Sequence, residues 1–519
     1  MRIGVDVGGT HTDAVVLRDE ELLAATKTLT SADVMSGVEA ALDAVLADSG
    51  VKASHVRQVM IGTTQFTNAI VERRELASTA AVRIALPAGR DVPPMVDWPN
   101  DIAEAVGRNA FMLTGGTLYD GRPMADLQQD EIDQLIREIE QRKLSSVAVS
   151  AAFSPMNPEP ELHVAKRLKE ALPDVRVTLS HPFGRLGLME RENAAILNAA
   201  LLPLADRVVD AFLAAVRQRG LRCPVFISQN DGTLMNAGFV RRFPALTFAS
   251  GPTNSLRGAA RLTGVSEAVV VDIGGTTSDV GVLSEGFPRE SNVVVEIGGV
   301  RTNFRMPDIL AIGLGGGSEV HDHGHRVGPR SVGHRLVTEG RIFGGSTVTA
   351  TDVVVASGDA QVGDPSKVAD LPADLTANAQ ATMHLMLDRA IDAMKPSSAA
   401  LPVILVGGGA LLVTGELKAA SEVLRPENAG VANAIGAAIA QVGGEAEKLV
   451  SYRQLPRDEA LAAVTRDATA RAVAAGADPA TIRRADVEET AIPYMDEGAT
   501  RVRIKVIGDV AGEPQGGST

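Results

Sequence analysis

IGVDVGGTHTDAVVL at residues 3–17 and VVVDIGGTTSDVGVL at residues 269–283 carry one pattern twice. Each is a β-branched run, an Asp, a pair of glycines and a second β-branched run, which spells strand, tight turn, strand. Aligned, Asp6, Gly8, Gly9, Thr10, Thr12, Asp13 and Leu17 fall on Asp272, Gly274, Gly275, Thr276, Ser278, Asp279 and Leu283, each pair 266 residues apart. A single D-x-G-G-T is no more than a hairpin turn. Two copies in the same hairpin context predict two equivalent loops. Glycines let backbone N–H groups approach phosphate oxygens closely. A neighbouring Thr hydroxyl adds a donor, and a carboxylate at the strand end holds Mg2+ or orients an attacking water. Two such loops facing each other would grip both sides of a polyphosphate.

Outward from these stretches the chain alternates strand and helix, which predicts α/β architecture. Leu22–Thr28, Val59–Ile61, Val147–Ala151 and Val175–Leu179 read as strands. Val34, Val38, Leu42, Val45 and Leu46 share a helical face behind a Ser31 or Asp33 cap. Helical patterns recur at Asp130–Gln141, Glu159–Leu172 and Glu190–Leu201. VILVGGGA (403–410) reads as a buried strand ending in three glycines. Residues 428–444 read as an Ala/Gly-rich helix with a face small enough for close packing, and Gly358–Pro372 as a polar connector. The expected organisation is a first lobe over 1–180, a second over 181–445 with an inserted substrate or partner region near 284–350, a strand-rich extension over 446–509, and a frayed tail over 510–519.

Composition excludes several functions. The 519 residues amount to several domains at roughly 100–200 residues each. A net charge of −14 and 3% aromatic residues argue against a nucleic-acid surface, which needs a basic stripe or stacking platforms. No uncharged apolar run reaches the ~20 residues of a membrane helix. One cysteine, Cys223, permits no internal disulfide and suits a reducing compartment, so a cytoplasmic protein without a secretory leader is expected. There is no G-x-x-x-x-G-K-[ST] P-loop, and Gly313, Gly315 and Gly317 do not fit G-x-G-x-x-G.

The paired loops, a later strand–GGG turn and the Ala/Gly helix resemble the five-part pattern of the actin/hexokinase/Hsp70 superfamily, here at 3–17, 190–201, 269–283, 403–410 and 428–440. The resemblance implies a two-lobed, actin-like (ribonuclease H-like) ATPase fold, with Gly407, Gly408 and Gly409 on the adenosine side. A narrower resemblance, to the hydantoinase A/5-oxoprolinase family, rests on DVGGTHTDAVVL (6–17), GTTQFTNAIVER (62–73), ERENAAILNAALLP (190–203), ASGPTNSLRGAARLTG (249–264), VVDIGGTTSDVGVL (270–283), GLGGGSEV (313–320), VGPRSVGH (327–334) and STVTATDVVVASG (346–358). These run in family order over about residues 3–440. Members couple ATP hydrolysis to opening a lactam or imide ring, and their A-type subunits work with a second subunit, usually encoded nearby. Related members support ATP-dependent carboxylation of ketones. The turn VGGGALLV departs from longer members, which carry a histidine soon after the glycines.

The expected activity is therefore ring opening of a cyclic amide (a hydantoin, 5-oxoproline or a lactam) through phosphoryl activation, with ATP and Mg2+ as cofactors. Phosphoryl transfer needs mostly positioning and charge neutralisation. Gly8, Gly9, Thr10, His11 and Thr12, with Gly274, Gly275, Thr276 and Thr277, would contact the nucleotide. Asp6 and Asp272 would hold Mg2+ or its waters. Asp13 and Asp279 would stand behind them, serve as a base, or simply bond to the hairpin backbone. Thr63, Thr64 and Asn68 open a helix and either face a small polar substrate or cap that helix. Arg191 and Glu192 start a helix expected near the lobe junction, as substrate contacts or a solvated helix end. His321, His323 and His325 would share a face of an extended segment and suit Zn2+, or else belong to a plain loop. A ketone carboxylase component, a small-molecule kinase and an ATP-switched assembly protein stay open as alternatives, as does homo-oligomerisation.

Overall fold

The computed structural model describes residues 1–8, 11–19, 21–29, 34–119, 121–183, 186–291, 294–492 and 499–511. Both expected hairpins form. Strand Arg2–Val7 pairs antiparallel with His11–Arg18, setting Asp6 opposite Asp13. Strand Ala268–Ile273 pairs antiparallel with Ser278–Ser284, setting Asp272 opposite Asp279. Their Val- and Ile-rich runs are buried on both faces, as strands covered by helices on each side must be.

The duplication extends to whole sheets. In the first, Glu21–Leu29 pairs with 11–18, while Gln58–Thr63 and then Val225–Ser228 add in parallel beyond 2–7. In the second, Ile309–Ile312 pairs with 278–284, while Leu401–Val406 and then Ala420–Leu424 add in parallel beyond 268–273. Each lobe is thus a three-strand meander continued by two parallel strands.

The lobe boundaries differ from those expected. The first sheet has nine strands and continues through Leu234–Asn236, Val442–Ser451, Ala499–Gly508 and Arg483–Ala491. The cut at 180 therefore separates strands that hydrogen-bond in one sheet, and the cut at 445 falls inside a strand. Residues 446–509 are strand-rich, as expected, but they extend the first sheet, because the alternating run 499–508 pairs along its full length with 442–451. Residues 79–179 carry a separate parallel sheet, ordered Asn109–Thr114, Thr79–Leu86, Ser146–Ala151, Arg176–Leu179. The region 284–350 divides: the hairpin Val295–Ile297/Val300–Thr302 lies on helices Gln65–Glu72 and Leu188–Gln218 of the first lobe, while 309–312 belongs to the second sheet.

Two helices join the lobes. Ala432–Ile439 packs on strands 2–7, 11–18 and 58–63, and Ser250–Thr263 packs on the second sheet. They touch through glycine: a Cβ on Gly258 would sit 1.8 Å from the Ala432 carbonyl oxygen, and one on Gly436 1.9 Å from that of Asn254. The small-faced helix expected over 428–444 is therefore present but ends at Ile439, because Val442 begins a strand. Helix 188–218 outruns the expected 190–201, continuing past Pro203. Among the described residues no helix is long and apolar enough to cross a membrane.

Candidate functional site

Both turns close with the same bond. Gly8 N–H donates to the His11 carbonyl at 3.0 Å, and Gly274 N–H to the Thr277 carbonyl at 2.9 Å. Gly9 and Thr10 lie outside the described residues. His11, Gly274, Gly275 and Thr276 are half-buried, Thr277 is exposed and Thr12 is buried. Parallel strands 2–7 and 58–63 end at one edge, where the Thr64 hydroxyl donates to the Val7 carbonyl at 3.4 Å. Thr63 is buried; its carbonyl accepts from the Ser250 hydroxyl (3.1 Å) and its own hydroxyl from the Gln65 N–H (3.3 Å). Thr64 is the N-cap residue of helix 65–72 without a side-chain capping bond, and Asn68 is exposed on that helix.

Two further glycine segments wrap the second turn. Gly316 and Gly317 donate to the carbonyls of Gly274 and Gly275 at 3.0 and 2.8 Å, and Gly409 donates to that of Ile273 at 2.7 Å. Gly407, at φ 83°, passes so near Asp272 that a Cβ would lie 2.2 Å from its Oδ1. Any side chain there would displace the carboxylate.

Adjacent residues of helix 250–263 hold one Asp from each lobe. Asn254 Nδ2 donates to Asp6 Oδ1 at 3.1 Å, and the Ser255 hydroxyl donates to Asp272 Oδ2. Asn433 Nδ2, from the other junction helix, donates to Asp6 Oδ2 at 3.0 Å. Lys27, opposite Asp13 on the neighbouring strand, places Nζ 2.8 and 3.0 Å from its two carboxylate oxygens. Among the described residues Asp279 finds no side-chain hydrogen-bond or ion-pair partner.

The charges of this cluster are strained. Burial pushes the Asp6 carboxyl up to about 6, with further push from Asp13 and Asp272, while its two Asn partners pull it back. Burial and then Asp272 push Asp279 up to about 7. Burial raises Asp272 as well, against the Ser255 bond and the Lys27 charge. Burial lowers His11, and Lys27 adds to the effect. Four carboxylates with one lysine are short of positive charge, and their hard oxygen donors suit Mg2+. Among the described residues no three acidic, His or Cys groups are arranged to ligate a metal by themselves.

Other expected residues stand elsewhere. Arg191 is 0% exposed and donates to the Ser180 hydroxyl and to the carbonyls of Ala151, Leu186 and Gly187. Glu192, 2% exposed, receives Arg83 (2.8 and 2.5 Å) and the Ser150 hydroxyl (2.6 Å). Both are buried and tie the start of helix 188–218 to the neighbouring 79–179 region, so they are not a solvated helix end. The histidine run is not extended: its strand ends at His321, and Asp322 and His323 turn through positive φ. His321 pairs with Glu319 (3.0 Å) and His325 lies 3.4 Å from Asn378, so no shared metal face forms.

Lys27, Asn254, Ser255 and Asn433 were not singled out by motif. Lys27 is detectable only once the pairing of 11–18 with 21–29 is known, and the other three only once the junction helices are placed.

A duplicated meander-plus-parallel sheet, with two equivalent glycine hairpins meeting at a pair of junction helices, defines the actin-like, ribonuclease H-like class of two-lobed α/β proteins. Residues 2–172 match the hydantoinase/oxoprolinase N-terminal region and residues 191–361 match hydantoinase/oxoprolinase. The chain belongs to the hydantoinase/oxoprolinase family. It is 26% identical over 391 residues to caprolactamase subunit alpha of Pseudomonas jessenii, covering 69% of this chain and 54% of that protein. It is 27% identical over 392 residues to the acetophenone carboxylase gamma subunit of Aromatoleum aromaticum, covering 69% and 53%. The chain thus spans about half the length of these curated relatives. The crystal structure of ATP-dependent caprolactamase from Pseudomonas jessenii shares the fold, with TM-score 0.80 and 18% identity over 98% of this chain and 88% of that one. Nucleotide-free acetone carboxylase does so with TM-score 0.68 and 18% identity over the same shares.

Proposed function

We propose that the cleft between the glycine hairpins binds ATP with Mg2+, and that the chain is the ATP-hydrolysing part of an enzyme that opens a cyclic amide such as a hydantoin, 5-oxoproline or lactam. The reading is carried by the two equivalent hairpins with their four charge-starved carboxylates. Backbone N–H groups at the hairpin tips, Gly275–Thr277 in the second, would meet phosphate oxygens, and Gly407–Gly409 would border the adenosine side. Asp272 would hold Mg2+, with Asp6, fixed by two amides, beside it, and the metal would neutralise phosphate charge. Lys27 adds a cation near Asp13 and Asp272, and Asp279, near neutrality at about 7, serves as a base for an attacking water.

ATP supplies the phosphoryl group that turns a poor electrophile, the amide carbonyl, into a reactive one. One water then adds at the activated carbon as the ring C–N bond breaks and the nitrogen takes a proton. A second water releases inorganic phosphate and leaves the carboxylate. Thr64 and Asn68, at the sheet edge beside Val7, are placed to meet a polar substrate. A second subunit is part of the reading, since both curated relatives are named as subunits. The lone Cys223 fits the reducing cytoplasm.

The likeness to a carboxylase subunit favours one alternative, ATP-driven carboxylation of a ketone. Phosphate release should be measured with hydantoins, 5-oxoproline, lactams and ketones, with and without bicarbonate and the protein encoded next door. Ring-opened product matching ADP formation, lost in Asp272→Ala that still folds, is expected. Turnover that needs bicarbonate and opens no ring would establish the alternative, and full activity in Asp272→Ala would remove the site.

A further inference from the structure

A cavity of about 410 Å3 lies away from the glycine turns, where the 229–233 turn, the start of strand 442–451, helix Arg457–Ala475 and residues 303–305 converge. That volume falls within the roughly 300–1,000 Å3 of small-molecule sites. One side is aromatic: Phe183 meets Phe243 and Phe304 edge-on, each with ring centroids 5.8 Å apart, and Phe239 packs on Phe243 at 4.9 Å.

The wall's charges balance, with Arg242, Arg305 and Arg471 against Asp231, Glu445 and Glu447, and several of them are paired. Arg305 binds Glu445 (2.5 Å) and Glu447 (2.7 Å), and Asp231 binds Lys505 at 2.8 Å. Arg471 donates to the carbonyls of Pro182 (3.2 Å) and Glu445 (2.9 Å). A neutral ligand is therefore favoured over an anion or a cation.

One wall group is unsatisfied. Asn303 is 5% exposed, and among the described residues neither its Nδ2 nor its Oδ1 meets a partner. Buried carboxamides are normally paired. A primary carboxamide shows an N–H and a C=O along one edge. An amide inside a small ring is held cis and shows the same two groups along one edge, so the two edges pair through two N–H···O=C bonds. An open-chain secondary amide is trans and cannot pair in this way.

We infer that this cavity is the recognition site for a neutral cyclic amide with an apolar ring substituent, read by Asn303 and seated against the phenylalanines. The inference rests on the cyclic-amide reading above and adds a first binding station for the ring, apart from Thr64 and Asn68, from which the amide passes to the hairpin cleft for phosphorylation. The cavity wall is also tied to the hairpin cleft. Asn230 accepts from the Ala249 N–H (2.8 Å) and the Thr253 hydroxyl (2.9 Å), and the next residue, Asn254, holds Asp6.

The test is calorimetric titration of the full chain, without nucleotide, with 5-benzylhydantoin and with N-benzylacetamide as the open-chain control. Wild type is expected to bind the ring amide and not the control. Asn303→Leu, which removes an unpaired buried amide, is expected to weaken ring-amide binding at least tenfold and leave ATP affinity unchanged. Ala474→Trp, at an exposed helix position that lines the cavity, should block the same binding by filling it. No ring-amide binding to wild type, or equal binding to both variants, overturns the inference. Ring-amide-stimulated ATP turnover that both variants retain also overturns it while the proposed reaction stands. Binding lost in the variants, without ring opening in wild type, supports the site and removes the reaction.

Discussion

Asp279→Asn should make the nucleotide-free protein more stable and stop its turnover. The folded carboxyl sits at about 7 against an ordinary 3.8, with burial first and Asp272 second as causes. A group raised in the folded state favours folding fully below its unfolded pKa, and that contribution is lost as pH climbs through the folded value. Between about pH 4 and pH 7 ionisation of Asp279 therefore works against folding. Three units at about 1.4 kcal/mol each set a ceiling of about 4 kcal/mol; relaxation and solvent at this partly exposed side chain bring the expected effect to about 2 kcal/mol. Asn has the same shape and no charge to desolvate. Thermal unfolding of both proteins at pH 4 and pH 8 is the assay. The variant should melt about 2 °C higher at pH 8 and match wild type at pH 4, while its phosphate release disappears. Equal melting at both pH values would refute the charge-strain argument, and retained turnover would refute the role as base.

Asn254→Leu removes a charge-assisted hydrogen bond to Asp6, a contact of about 1.5–3 kcal/mol, so the acid limb of the ATPase pH profile should move up by about one unit. An unmoved limb would separate Asp6 from the reaction. Gly436→Val should destabilise the lobe junction by at least ~1–3 kcal/mol, since its Cβ would lie 1.9 Å from a backbone carbonyl; denaturant unfolding measures it, and wild-type stability would mean the helices are less closely apposed. Glu192→Ala strands Arg83 in the interior and should cost ~3–5 kcal/mol, with KM for the ring substrate unchanged in protein that remains folded. A large KM increase there would restore Glu192 as a substrate contact.

The hairpins were legible because their information is local: β-branched runs, an Asp and a glycine pair fix strand, turn and side-chain face within fifteen residues. The strand 401–406 and its glycine exit were equally readable. Sheet membership was not, because it depends on pairings such as 234 with 442 that leave no local trace. Arg191 and Glu192 misled because charged residues at a helix start usually face water, and here the 79–179 sheet covers them with bonding partners. The histidine run misled because its alternation suggested a strand, whereas the backbone reverses at Asp322 and His323. Asn303 offered no pattern at all; only its burial without a partner marks it.

The path of the chain has one last consequence. It leaves the first sheet after strand 234–236, builds the second lobe, and returns at Val442, directly beside Leu234. Exit and re-entry are thus neighbours, the two junction helices are in near backbone contact at Gly258 and Gly436, and the chain crosses between the halves again where the 295–302 hairpin lies on the first lobe. The halves are therefore pinned at two separate places, and bulk added at either glycine would force the helices apart and shift one lobe on the other without touching a reacting group.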